Sequence, residues 1–122
     1  MLQQLAATAK GDPVLERRGR YLSTVFLWSI GDEGFVVKIS DGQIQRVDPV
    51  SRVMPQYEFR VSADRHSWDM LWSNPPVPGW HDILALMRRR KLHIEGNLHP
   101  FMTHLLYFKR LLVLPSAFGV SS

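Results

Sequence analysis

His93 and Glu95 come nearest to catalytic chemistry in this chain. They stand two apart in the alternating run Leu92-His93-Ile94-Glu95, so on a strand they share one face, where a carboxylate could orient an imidazole as a general base. The same spacing suits an ordinary pair at a sheet rim, and that is the expectation. Nucleophilic hydrolysis is not expected: there is no Gly-x-Ser-x-Gly, and Ser23, Ser29 and Ser67 lie in no comparable setting. His99 and His104 are five apart, about 140° around a helix, so they cannot hold one ion as an i, i+4 pair would. His66, His81 and Asp82 are isolated in sequence, and with no cysteine there is no thiolate site and no disulfide. Gly31 to Gly34 reads as a hairpin turn that opens no helix, so no phosphate cradle forms there. No catalytic residue, metal or cofactor is expected.

Charge gives a second kind of chemistry. The formal net charge is +4, and from Arg88 onward six basic residues face the single acid Glu95, so that part carries +5 and residues 1–87 carry −1. The run Arg88-Arg89-Arg90-Lys91 suits an anionic head group or an anionic membrane surface; it would also complement the negative end of a helix dipole. Nucleic acid is not expected: one four-residue basic run, with Trp80 and Tyr107 as the available stacking partners, lacks any helix-turn-helix or RNA-binding strand motif.

The elements that must position these residues follow from periodicity. Met1 to Gly11 predicts a short helix, stopped by Gly11-Asp12-Pro13. Tyr21–Ile30 alternates as a strand, Phe35–Ser40 resumes after the Gly31–Gly34 turn, and Asp41-Gly42 marks a hairpin into Gln43–Val47. A fourth strand covers Tyr57, Phe59 and Val61. Asp64 caps a helix with Trp68, Leu71 and Trp72 on one face, and Asn74 to Gly79, with three prolines, ends it. The next helix runs from Trp80 to about Arg90 with Ile83, Leu84 and Met87 inward, then Leu92 and Ile94 form a last strand. Asn97 is expected to cap a final helix reaching Leu112 or beyond, with Pro100 in its first turn. Its apolar stripe, Leu98, Phe101, Met102, Leu105, Phe108 and Leu112, is widened by Leu106, Tyr107 and Leu111, so it must bury against protein or ligand. No βαβ alternation appears, which gives an α+β class: a mainly antiparallel sheet with helices packed on one face.

Three stretches resemble a known family. Gly34-Phe35-Val36-Val37 through Asp41-Gly42, Val61-Ser62-Ala63-Asp64 leading to Trp68-Asp69-Met70-Leu71, and Lys91-Leu92-His93-Ile94-Glu95-Gly96-Asn97-Leu98 are similar, in order and spacing, to the sterol carrier protein type-two, or non-specific lipid-transfer, domain. The resemblance covers about residues 21–112. It implies a five-stranded sheet with helices on one face enclosing an apolar tunnel for sterol, fatty acid, fatty acyl-CoA or phospholipid, with no catalytic residues. The chain departs from the family in a shortened amphipathic helix over residues 1–10 and in the triple-proline segment.

On this reading residues 1–122 are a single lipid-binding domain. Trp68, Leu71, Trp72, Leu84, Met87, Phe101, Met102, Leu105 and Phe108 are the expected ligand-binding residues, with Arg88, Arg89, Arg90 and Lys91 as head-group or membrane contacts. Expected partners are a lipid ligand and, transiently, an anionic membrane surface, with a homodimer also open. Residues 1–10 lack a secretory pattern and no apolar run reaches the ~20 residues of a span, so a cytoplasmic location is expected. The rival readings are a protein-interaction module using the apolar last helix, and a small cone-shaped enzyme acting on a hydrophobic substrate.

Overall fold

The computed structural model describes residues 5–50, 56–73, 80 and 82–114. Two short helices, α1 (Leu5–Lys10) and α2 (Pro13–Arg18), precede the strands β1 (Thr24–Ile30), β2 (Glu33–Ser40), β3 (Gln43–Pro49) and β4 (Phe59–Ala63). Then come α3 (Arg65–Leu71), α4 (Ile83–Arg88), β5 (Leu92–Gly96), α5 (His99–Thr103) and α6 (Leu105–Leu111). The sheet order is β3-β2-β1-β4-β5. All neighbouring pairs are antiparallel except β1 and β4, which run parallel with Phe26 opposite Phe59 and Trp28 opposite Val61. The expected α+β class and mainly antiparallel sheet are therefore present.

Alternation decides which face is covered. Thr24, Phe26, Trp28 and Ile30 of β1 are buried, as are Phe35, Val37 and Ile39 of β2, Phe59 and Val61 of β4, and Leu92 of β5. These side chains meet the helices, from which Leu15, Trp68, Leu71, Ile83, Leu86, Phe101, Phe108 and Leu111 complete one core. Of the intervening residues, which face the other side of the sheet, Leu27, Val36, Arg60, His93 and Glu95 are half-buried or exposed and Ser29 is buried.

Several boundaries differ from the sequence reading. Gly11-Asp12-Pro13 stops α1 and also starts α2, because the Asp12 carboxylate accepts from the Val14 and Leu15 amides and Pro13 sits where no amide is needed. On α4 the inward pair is Ile83 and Leu86, with Leu84 and Met87 only half-buried, because the helix begins at Asp82 and presents an i, i+3 stripe. The last helix is two. Asn97 caps only locally, accepting from the His99 amide at 3.2 Å, and α5 has Leu98 at its N-cap with no side-chain cap. At His104 the backbone leaves the helical region (φ −123°, ψ 41°). There the Thr103 hydroxyl donates back to the His99 carbonyl at 2.9 Å, the kind of side-chain bond that bends helices. His81 and the segment 74–79 lie outside the described residues. Among the described residues no helix is long and apolar enough to cross a membrane.

Candidate functional site

Between the sheet and the helices lies a continuous aromatic layer. Its first half is a tryptophan trio: Trp28 from β1, Trp68 from α3 and Trp72 at the end of α3, with ring centroids 5.6 Å (28 to 68), 6.5 Å (28 to 72) and 5.5 Å (68 to 72) apart. Its second half is a phenylalanine group. Phe26 stacks on Phe59 at 5.2 Å, and Phe108 meets both edge-on at 5.6 and 5.4 Å. Phe101 stacks on Phe108 at 5.4 Å. The halves join through Phe26 and Trp28, 6.1 Å apart. Such ring pairs add about 0.5–1.5 kcal/mol each beyond their buried area, so the layer contributes cohesion over and above its burial.

Polar atoms in this layer are handled unequally. The Trp68 indole donates to the Ser29 carbonyl and the Trp72 indole to the Leu112 carbonyl, both at 2.9 Å. The Tyr107 hydroxyl donates to the Gly42 carbonyl at 3.2 Å, and burial pushes its phenol far above the usual range, so it stays neutral. Trp28 Nε1 and Thr24 Oγ1, on the same face of β1, are buried without a partner. A buried donor left unpaired costs about 1–3 kcal/mol, which a ligand oxygen would relieve.

The expected ligand-binding residues divide into three sets. Trp68, Leu71, Phe101 and Phe108 are buried in or beside the layer. Trp72, Met87 and Leu105 are half-buried against it, and Leu84 is half-buried on α4. Met102 is 59% exposed and stands outside it. The sheet side of the layer, Phe26, Trp28 and Phe59, was absent from the expected set, although strand alternation already put Phe26 and Trp28 on one face. Tyr107 is fully buried and so cannot stack on a base.

Arg88, Arg89, Arg90 and Lys91 are all exposed at the end of α4. The Arg89 guanidinium lies 4.6 Å from the Trp80 ring centroid. The run lies between the end of α4 and the start of β5, whereas α5 begins beyond Gly96 at the other end of that strand. His93 and Glu95 are exposed on the open face of the edge strand. Among the described residues no three acids or histidines are grouped to hold a metal ion.

No sequence-family profile matches the chain. No curated protein matches it either. Solved structures do. The chain is similar to a crystal structure of sterol carrier protein 2, with 12% identity, 93% of this chain and 92% of that one covered, and a TM-score of 0.74. It is similar to a possible sterol carrier protein from Thermus thermophilus (12% identity, 91% and 82% covered, TM-score 0.65). It is also similar to a UbiJ-SCP2 ubiquinone synthesis protein (19% identity, 98% and 89% covered, TM-score 0.58). With the strand order, the parallel β1–β4 pair and the helices on one face, these likenesses establish that the chain has the sterol carrier protein 2 fold.

Proposed function

We propose that residues 1–122 form one non-catalytic, cytoplasmic domain that binds or carries a lipid between the sheet and the helices. The ligand class is sterol, fatty acid, fatty acyl-CoA or phospholipid. The observation that carries the reading is the Trp28 indole, buried in the aromatic layer without a partner whereas those of Trp68 and Trp72 are paired. Half-buried Trp72, Met87 and Leu105 offer side chains that can yield to a chain, and methionine adapts readily to varied shapes. A ligand carboxyl, ester or hydroxyl oxygen reaching Trp28 would pair the indole while the chain replaces ring contacts. Burying about fifteen methylenes of a long chain gains about 12 kcal/mol gross at ~0.8 kcal/mol each, and an association cost of about 4 kcal/mol leaves the roughly 8 kcal/mol of micromolar binding.

The test is titration of the purified protein with long-chain fatty acid and acyl-CoA, read by tryptophan fluorescence and by retention of ligand on gel filtration. Saturable binding near micromolar concentration is expected. No fluorescence change and no retention for either ligand would overturn the carrier reading.

One observation favours the interaction-module reading as the second choice: Leu98, Met102 and Leu106, four residues apart in succession, are 42%, 59% and 57% exposed. Three side chains fall well short of the roughly 800 Å² per partner that stable dimers bury. Native mass spectrometry decides, since co-purified lipid favours the carrier and a ligand-free dimer the module.

A further inference from the structure

The sheet's open face, opposite the helices and the aromatic layer, carries a cleft of about 580 Å³. That is within the roughly 300–1,000 Å³ of small-molecule sites. Leu27, Ser29 and Gly34 form its floor, with Val50 on one side and Tyr57 and Arg60 on the other. Gly34 lets Val50 approach the sheet closely: a Cβ there would lie 3.1 Å from Val50 Cγ2 and 3.5 Å from Leu27 Cδ1.

Arg60 gives the cleft its chemistry. Its register neighbours are Leu27 on β1 and Glu95 on β5. The side chain lies toward β1, where Nε donates to the nearly buried Ser29 hydroxyl at 3.2 Å. Among the described residues this guanidinium makes no ion pair with any carboxylate. A half-buried guanidinium pinned through Nε holds its terminal N–H groups in a fixed plane, the geometry that matches the two oxygens of a carboxylate. Asp32 and Glu33 border the cleft at the β1–β2 turn, Glu33 lying opposite Ile30, one position along from the Ser29–Gly34 pair toward the turn. Both are exposed. Their charge directs an acid group away from the turn and toward Arg60.

We propose that this cleft is a second ligand site, separated from the aromatic layer by the sheet, that takes a small amphiphilic carboxylate. The acid group meets Arg60, and the apolar part lies over Leu27 between Val50 and Tyr57.

The test uses the full chain labelled with nitrogen-15, titrated separately with octanoate, octanol and octylammonium and followed by amide and side-chain NMR shifts. Octanoate should move the Arg60 Nε–H and the Ser29 and Gly34 amides together, with octylammonium much weaker. Arg60→Gln should weaken octanoate about 10-fold or more while leaving octanol unchanged. Gly34→Val, which forces Val50 to shift within the cleft without touching the charge, should reduce both. The proposal fails if octanoate shifts are confined to helix-side groups such as the Trp72 indole. It fails equally if octylammonium binds as tightly as octanoate, or if a folded Arg60→Gln protein binds octanoate undiminished.

Discussion

The Asp12 carboxylate acts in two directions. Oδ1 accepts from the Val14 and Leu15 amides, each at 3.1 Å, and Oδ2 accepts from Arg110 Nε at 2.7 Å, which ties the first turn of α2 to the last turn of α6. The Arg110 hydrogen bond holds its carboxyl below the usual value, the two amides acting in the same direction against burial. Asp64 is lowered likewise, first through the Ser67 amide it caps. A carboxyl depressed in the folded state contributes stability above its unfolded pKa of about 4 and loses it as the pH falls through the lower folded value. Asp12→Ala should therefore cost about 1–2 kcal/mol at pH 7 in urea denaturation. The gap from wild type should close progressively below about pH 4. Arg110→Ala, which leaves the cap in place, should cost less. The sequence contained this cap in plain view, yet Asp-Pro is both a helix stopper and a helix starter. Only the fold shows that Gly11-Asp12-Pro13 does both.

At the end of α4, the Lys91 amide bonds the Leu86 carbonyl at 2.8 Å and the Arg90 amide bonds that of Met87 at 3.1 Å. This six-to-one and five-to-two pattern needs a left-handed residue between, usually glycine, and here it is Arg90 with φ +59°. An L side chain in that region costs roughly 1–2 kcal/mol, partly offset by the chain entropy that glycine would lose. Arg90→Gly should accordingly stabilise the protein by about 0.5–1 kcal/mol, raising its thermal midpoint by several degrees. A neutral or negative shift would show that the arginine side chain contributes packing of its own. Strands were the more legible elements, since Phe35, Val37 and Ile39 and then Phe59 and Val61 alternate cleanly. The parallel β1–β4 pair was not, because register between Phe26 and Phe59 is set by tertiary packing and leaves no local mark. The break at His104 was hidden for a similar reason: no glycine or proline interrupts the apolar stripe.

Over the whole molecule, the sheet divides the chemistry into a dry aromatic layer on one face and a cleft with Arg60 on the other. The basic run stands at a third place, the end of β5 away from α5. If it governs approach to anionic membranes, replacing Arg88, Arg89 and Arg90 with glutamine should weaken association with anionic vesicles. The loss should be large at low salt and small at high salt, since exposed charges are screened within ~8 Å at physiological ionic strength. Neutral-lipid binding should be unchanged, and equal vesicle association by both proteins at low salt would leave the run only its helix-end role. The expected site was legible on its helix side, where apolar spacing is conspicuous, and incomplete on its sheet side, where Trp28 and Phe59 become neighbours of Trp68 and Phe108 only through the topology. That topology also bears on how the chain folds. The β1–β2 and β2–β3 hairpins close over a few residues, whereas β1 must wait for β4 across the long intervening segment. Because closure over longer separations is slower, the meander can form early and the ring-on-ring layer only once β4, β5 and the late helices dock. Contacts made after the rate-limiting barrier govern escape from the native state, so a molecule lodged in that layer would lengthen the protein's lifetime while leaving its refolding rate almost untouched.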